Sequence, residues 1–142
     1  MEVFYTAHAT ASGGGRDEGR SATDDGKIDV RLSVPAGMGG KGGDGTNPEQ
    51  LFATGYAACF LSALRLVSGQ AGTPAGPDTK VAADVGIGKN TRGEGYNLDI
   101  ELTVSDHGLD QAVIDDLLQK THQVCPYSNA TRGNVDVKLT AS

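Results

Sequence analysis

The fold of this chain is decided by one long apolar segment, residues 46–67, which reads TNPEQLFATGYAACFLSALRLV. Thr46 and Asn47 are both good helix N-caps, and Pro48 suits the first helical position because it has no N–H to leave unpaired. Residues 51–67 are apolar on nearly every side of the predicted helix, whereas a surface helix shows one apolar stripe. We therefore expect a helix buried on most faces, partly by a partner protomer, since 142 residues can hardly surround it.

Alternating apolar and polar residues predict strands on both sides of this helix. Before it, strands are expected at Val3–Thr10, Arg20–Thr23 and Ile28–Val34, the last two joined by a turn at Asp24–Gly26. After it, the pattern predicts strands Lys80–Lys89 and Tyr96–Val104, an amphipathic helix Asp110–Val124 ended by Pro126, and a last strand Val135–Leu139. Because the strands group into hairpins rather than β-α-β units, the sequence predicts an α+β fold.

Composition and charge exclude several classes of protein. Two cysteines are too few for a disulfide-stapled scaffold or for a zinc site of four thiolates. The net charge of −6 disfavours nucleic acids and anionic membranes, which are themselves polyanions. Glu2 stands where a secretion signal would be positive, and the longest uncharged stretch, Gln50–Leu64, is shorter than a membrane span of about 20 residues. We expect a cytoplasmic protein.

Two features that could indicate a cofactor or a metal do not fit those sites. Residues 37–42 match GxGxxG, but a dinucleotide site needs this turn directly between a strand and a helix, and here Pro35 ends the strand well before the helix begins. The three histidines share no short ligand spacing with the cysteines. We therefore expect no bound cofactor and no metal, and the glycine-rich loop 37–45 receives no specific role.

The two cysteines allow two interpretations. Cys59 lies inside the predicted buried helix and Cys125 just before Pro126, and free cysteines are often simply small core residues. A reactive role needs a thiolate, which a buried cysteine forms only beside a cation or a donor. The loop 13–20 supplies arginines. Glu49 precedes Cys59 by nearly three helical turns, about 15 Å, so it cannot act as the base of Cys59 but could hold an arginine.

Several segments carry a family resemblance. Residues 46–60, TNPEQLFATGYAACF, and residues 122–135, HQVCPYSNATRGNV, resemble the two cysteine motifs of the OsmC/Ohr superfamily, and residues 13–20 and 80–90 fit as well. The run NATRGN after the second cysteine is similar to the organic hydroperoxide resistance (Ohr) branch. The resemblance implies one OsmC/Ohr-like domain over residues 1–142, with antiparallel sheets packed around a buried central helix in an intertwined homodimer.

The resemblance also implies the activity of a thiol peroxidase in the response to oxidative stress. It makes Cys59 the residue that an organic hydroperoxide oxidises to a sulfenic acid, and Cys125 the residue that resolves this acid as a disulfide. A lipoyl dithiol, either dihydrolipoamide or a lipoylated protein, would then reduce the disulfide. The apolar surroundings of Cys59 agree with an alkyl or fatty-acid hydroperoxide, and we expect Phe52, Tyr56 and Phe60 to line the substrate pocket.

An arginine and a glutamate complete the implied site. In the family, an arginine of the N-terminal loop stabilises the thiolate, and the Glu of the NPEQ motif, here Glu49, orients that arginine. The family loop usually reads GGRDGR, whereas this chain inserts Glu18, so both Arg16 and Arg20 are candidates. Arg16 is favoured because it directly follows the glycines that let the loop fold back.

Three alternatives use the same cysteines. A redox sensor without catalytic turnover would be oxidised only stoichiometrically. A lipid-binding protein would use the apolar pocket without chemistry. A peroxidase of the OsmC branch would follow the same mechanism with a different preferred peroxide.

Overall fold

A computed structural model describes residues 1–142. The chain forms two compact units, residues 1–51 and residues 52–142. The boundary falls inside the first helix, α1 (Pro48–Gln70). The single domain expected over residues 1–142 stays a prediction.

The first unit contains a three-stranded antiparallel sheet, β1 (Ala9–Ser12), β2 (Arg20–Thr23) and β3 (Asp29–Arg31), in that order. The predicted bounds of β2 are confirmed, and so is the turn after it, where the Thr23 amide bonds to the Ile28 carbonyl and Gly26 has a φ of +70°. β3 covers only part of the predicted strand because its partner β2 is short. One 3-10 turn, Ala36–Met38, lies between β3 and α1.

The strand predicted at Val3–Thr10 is wrong for residues 3–8. β1 begins only at Ala9, and Val3, Phe4 and Tyr5 are 62%, 92% and 79% exposed. Their β-branched and aromatic side chains favour an extended backbone, but a strand also needs a hydrogen-bonded neighbour. No strand of this chain pairs with residues 3–8, so their strand propensity is not used within it.

The second unit contains a three-stranded sheet and three helices. The strands are β4 (Lys80–Lys89), β5 (Tyr96–Ser105) and β6 (Val137–Ala141), and the helices after α1 are α2 (Gln111–Val124) and α3 (Pro126–Thr131). β4 pairs antiparallel with β5 from Lys80 opposite Ser105 to Lys89 opposite Tyr96. β6 pairs parallel with β5, which departs from the expected antiparallel sheets. The chain segment through α2 and α3 is long enough for the crossover that a parallel pair requires.

Helix α1 begins as the sequence predicts. The side chain of Asn47 accepts a hydrogen bond of 2.9 Å from the Gln50 amide, and Pro48 is the first helical residue. The helix extends beyond the uncharged stretch 50–64, and its 23 residues are long and apolar enough to cross a membrane by length and composition. The core helix of a soluble protein passes the same test, so the finding is weak evidence for a membrane span.

One face of α1 supplies the core of the second unit. Its buried residues follow the helical period and join buried residues of β5 and α2, namely Tyr56, Phe60, Ala63, Leu64 and Val67 with Ile100, Leu102, Val104, Ile114, Leu117 and Leu118. The expected burial on most faces is not reached within one chain, because Leu66 remains 52% exposed. A partner protomer that would cover the remaining faces stays a prediction.

Candidate functional site

The two cysteines meet in the second unit. The thiol of Cys125 points at Cys59 with 3.4 Å between the two sulfur atoms, although 66 positions separate them in the sequence. Both are free thiols; Cys125 is fully buried and Cys59 is partly exposed. This pair can therefore undergo a two-electron oxidation to a disulfide after a small approach of the sulfurs.

Local sequence explains the position of each cysteine. Cys59 lies in the middle of α1. Cys125 is the single residue between α2 and α3, and it forms the joint between these helices. Its amide donates to the Thr121 carbonyl of α2, and its carbonyl accepts from the Asn129 amide of α3, each at 2.9 Å. Its ψ of 125° is extended because Pro126 follows, and a residue before proline is driven away from the helical region.

The surroundings of Cys59 act on its acidity in opposite directions. Burial raises the pKa of the Cys59 thiol above its ordinary value of 9.0. A hydrogen bond from the Tyr127 backbone amide lowers this pKa, and the neighbouring Cys125 raises it again. Burial is the largest effect, so Cys59 needs a further cation or donor to be a thiolate near neutral pH.

Arg16 and Glu49 form a two-pronged ion pair in the first unit. The Nη1 and Nη2 atoms of Arg16 each donate to one carboxylate oxygen of Glu49 at 2.7 Å. The hydrogen bonds from Arg16 lower the pKa of Glu49, and Glu49 raises the pKa of Arg16, so both groups stay charged. Arg20, the other arginine that the sequence left open, forms its own pair with Asp29 on β3 at 2.7 and 2.5 Å.

The loop that carries Arg16 is tightly folded. A Cβ atom on Gly19 would lie 2.1 Å from the Gly15 carbonyl oxygen, so only glycine permits this close return of the chain. The inserted Glu18 adopts a left-handed φ of +54°, which is costly for a residue with a side chain. Within this loop, Arg16 is the arginine whose guanidinium is held by Glu49.

The three aromatic residues expected at the substrate pocket differ in accessibility. Tyr56 and Phe60 are fully buried in the core, and the Tyr56 hydroxyl lies 2.8 Å from Ser128 Oγ. Phe52 is only half-buried and meets the ring of Tyr56 edge-on at 5.8 Å. Phe52 is therefore the one of the three that offers surface to a bound molecule, and the pocket lining stays a prediction.

Tyr127 is a residue of this site that the sequence analysis missed. The ring centroid of Tyr127 lies 5.7 Å from that of Phe52 and 5.6 Å from that of Tyr56. The residue is 39% exposed. The short helix α3, on which it lies, was not predicted either. The available signal was Pro126, since proline is common at the first position of a helix.

The structure places no three His, Cys, Asp or Glu side chains together where they could hold a metal ion. The chemistry available at the paired cysteines is thiol chemistry.

Comparison with known proteins agrees with the motifs. The family model for OsmC-like proteins matches residues 40–140. An organic hydroperoxide resistance protein of Xanthomonas axonopodis pv. citri (strain 306) is 51% identical over 139 residues, which are 98% of this chain and 95% of that protein. A crystal structure of such a protein from Elizabethkingia anophelis superposes with a TM-score of 0.90 at 48% identity, covering 100% of this chain and 99% of the other. The crystal structure of OhrB from Bacillus subtilis gives a TM-score of 0.86 at 39% identity, with 99% and 100% coverage.

Proposed function

Because the chain belongs to the OsmC-like family and, within it, to the organic hydroperoxide resistance proteins, we propose that it is a thiol peroxidase that reduces organic hydroperoxides to alcohols. The names of its relatives support a role in hydroperoxide resistance. The observation that carries the finer proposal is the pair Cys59 and Cys125, whose sulfur atoms are 3.4 Å apart in the reduced state.

The proposed reaction begins at Cys59. Its thiolate attacks the distal oxygen of the hydroperoxide, the O–O bond breaks, and the departing alkoxide takes up a proton to become the alcohol. Cys59 is left as a sulfenic acid. The sulfur of Cys125 then attacks the sulfur of Cys59, the S–O bond breaks, and the hydroxide leaves as water with the thiol proton. The full burial of Cys125 beside Cys59 supports this second step.

A dithiol completes the proposed cycle. One thiolate of a lipoyl group, free or attached to a protein, attacks the disulfide, and its second thiol closes the lipoyl ring. Two electrons and two protons thereby pass to Cys59 and Cys125. A dithiol suits this step better than a monothiol because its second sulfur displaces the mixed disulfide within one molecule.

We assign Arg16 as the cation that keeps Cys59 ionised and Glu49 as the residue that orients Arg16. The two hydrogen bonds of 2.7 Å from Arg16 to Glu49 support the second role, because they fix the plane of the guanidinium. The raised pKa of Cys59 supports the need for the first. Arg20 is paired with Asp29 rather than with Glu49, so it is not assigned to the site.

The aromatic residues near Cys59 support an organic substrate. We propose that the alkyl or acyl chain of the hydroperoxide binds against Phe52, with Tyr56 and Phe60 behind it as part of the lining. An apolar chain gains free energy by covering such rings, at about 25 cal/mol per Å² of apolar surface. Hydrogen peroxide has no apolar part and gains nothing from them.

We also propose that the protein is a cytoplasmic homodimer. The exposed Val3, Phe4 and Tyr5 and the exposed Leu66 on α1 support the dimer, since a partner protomer would remove this apolar surface from water. The cytoplasmic location is supported by the two cysteines, which are too few for a disulfide-stapled secreted scaffold. Size measurement over a range of concentrations tests the dimer.

The peroxidase proposal is tested by a turnover assay with the whole protein. tert-Butyl or fatty-acid hydroperoxide and hydrogen peroxide are compared with dihydrolipoamide and with a monothiol as reductant. The expected result is many equivalents of organic hydroperoxide consumed per protein with the dithiol. Oxidation that stops after one equivalent in the presence of dithiol would instead indicate a sensor, and no oxidation would refute both.

A further inference from the structure

The ring of Tyr127 lies directly over Gly55 of α1. A Cβ atom added to Gly55 would lie 2.8 Å from the Tyr127 hydroxyl oxygen, 3.2 Å from Cε2 and 3.3 Å from Cζ. Real Cβ atoms essentially never approach another atom to 2.8 Å. Glycine inside a helix costs about 1 kcal/mol relative to alanine. Helix α1 therefore loses some stability at Gly55, and the space left by the missing side chain is occupied by Tyr127.

The contact between Tyr127 and Gly55 lies beside the contact between the two cysteines. Gly55 precedes Cys59 by one helical turn on the same side of α1, and Tyr127 follows Cys125 by two residues. The short segment 125–127 therefore contacts α1 at two points, Cys125 at Cys59 and Tyr127 at Gly55. Phe52 and Tyr56 hold the ring of Tyr127 from two directions.

We propose that Tyr127, seated on Gly55, is a positioning residue that holds Cys125 against Cys59 for disulfide formation. This inference rests on the peroxidase function proposed above and extends it to the second step of the reaction. Cys125 lies between α2 and α3, and α3 already contacts α1 through the hydrogen bond between Tyr56 and Ser128. The ring in its seat supplies a second anchor, and the sulfurs are kept at a distance from which the attack can occur.

The contact of the Tyr127 ring with Gly55, called the seat here, affects the resolving step. In this step the sulfur of Cys125 displaces hydroxide from the sulfenic acid of Cys59. A displacement of about 1 Å between reacting groups can slow a reaction about 100-fold. While Cys125 is displaced, the sulfenic acid persists and a second hydroperoxide can oxidise it to a sulfinic acid, with release of a second alcohol. Loss of the seat should therefore change the fate of oxidised Cys59.

The test compares Gly55→Ala with Gly69→Ala in the full-length protein. Both replace a glycine of α1, but a Cβ at Gly69 would meet no atom within 4 Å, so this variant is the matched control. One equivalent of tert-butyl hydroperoxide is added to each reduced protein to follow the disulfide, and several equivalents are added in a parallel reaction to follow the sulfinic acid, which needs a second hydroperoxide. Mass spectrometry with a sulfenic acid trap follows sulfenic acid formation and disulfide formation as separate rates, because the Tyr127 amide also contacts Cys59.

Gly55→Ala is expected to slow disulfide formation about 10- to 100-fold and to raise the sulfinic acid fraction, whereas Gly69→Ala should match the wild type. Adding Tyr127→Phe to Gly55→Ala removes the atom in the 2.8 Å contact and should recover part of the rate. If Gly55→Ala does not fold, Tyr127→Ala, which empties the seat, should show the same slow step. Unchanged disulfide formation in the folded variant would overturn the inference, whereas a wild type that consumes no hydroperoxide would overturn the peroxidase function itself.

Discussion

The hydroxyl of Tyr56 in α1 and the hydroxyl of Ser128 in α3 lie 2.8 Å apart in the core, and neither residue has solvent exposure. Thr131 Oγ1 lies 3.4 Å from the same phenol. Tyr56→Phe would leave the Ser128 hydroxyl without this partner, and we expect a loss of about 1–3 kcal/mol in the free energy of unfolding. Urea denaturation measures the loss. Tyr96→Phe, at a tyrosine that is 76% exposed, is the control and should change stability very little.

Replacement of each cysteine should separate the two steps of the reaction. Cys59→Ser should abolish turnover of an organic hydroperoxide, because no thiolate remains to attack it. Cys125→Ser should react once and then stall or overoxidise, because no second sulfur can resolve the sulfenic acid. Stopped-flow oxidation and mass spectrometry distinguish the two variants. Full peroxidase activity in Cys59→Ser would show that the assignment is wrong.

Arg16→Ala should make oxidation of Cys59 depend steeply on alkaline pH. Burial raises the pKa of this thiol, and the thiolate fraction at neutral pH falls about tenfold for each unit of increase. We expect a neutral-pH rate about 10- to 100-fold below that of the wild type, recovering as the pH rises through the thiol pKa. The pH profile of the reaction with one equivalent of hydroperoxide gives the comparison.

Arg20→Ala is the matched control for Arg16→Ala. It removes a two-pronged pair of the same kind, between Arg20 on β2 and Asp29 on β3, which is exposed. Its oxidation rate and pH profile should follow the wild type, and its stability should change very little, because an exposed ion pair is screened by solvent. Slow oxidation in Arg20→Ala with normal oxidation in Arg16→Ala would transfer the role to Arg20.

Acid should remove the contribution of the Arg16–Glu49 pair to stability. The pKa of Glu49 is lowered in the folded protein, so the pair stabilises the fold above the ordinary value of 4.5 and loses its effect as the pH falls through the lowered value. Wild type and Glu49→Gln should therefore differ in unfolding free energy near neutral pH and converge in acid. Denaturation at several pH values checks this sign, and a difference that grows toward acid would contradict it.

Two leucines of α1 should distinguish the core from the proposed dimer interface. Leu64 is fully buried within the chain, and Leu64→Ala should cost about 2–5 kcal/mol at any protein concentration. Leu66 is 52% exposed within the chain, so Leu66→Ala should weaken association of two protomers while leaving the folded protomer intact. Sedimentation at a series of concentrations tests the second expectation. Unchanged association would place Leu66 outside the interface.

Local sequence signals predicted those elements whose ends are defined by local chemistry. The start of α1 follows from Asn47 and Pro48, and the bounds of β4 follow from its alternation and from the glycine-containing turn after it. These features depend only on neighbouring residues. Their prediction does not depend on which residues pack against them in the fold.

Features that depend on distant residues could not be predicted in the same way. The strand propensity of Val3 is not realised because no neighbouring strand is present within the chain, and the direction of β6 depends on the path through α2 and α3. The pairing of Arg16 rather than Arg20 with Glu49 depends on the fold of a loop that contains an inserted residue. The contact of Tyr127 with Gly55 joins positions 72 apart in the chain, and no periodicity reports such a contact.

The joint at Cys125 has a consequence for the lifetime of the protein under repeated oxidation. A disulfide needs sulfurs about 2.05 Å apart, so the reduced pair must close by about 1.4 Å. Rotation about the single extended residue and its side chain can supply this movement, while α2 and α3 keep their hydrogen bonds on either side. The redox cycle proposed above would then proceed without opening the core to water, to proteases or to aggregation. In the proposed cycle the protein would thus be regenerated many times rather than being consumed by the oxidant.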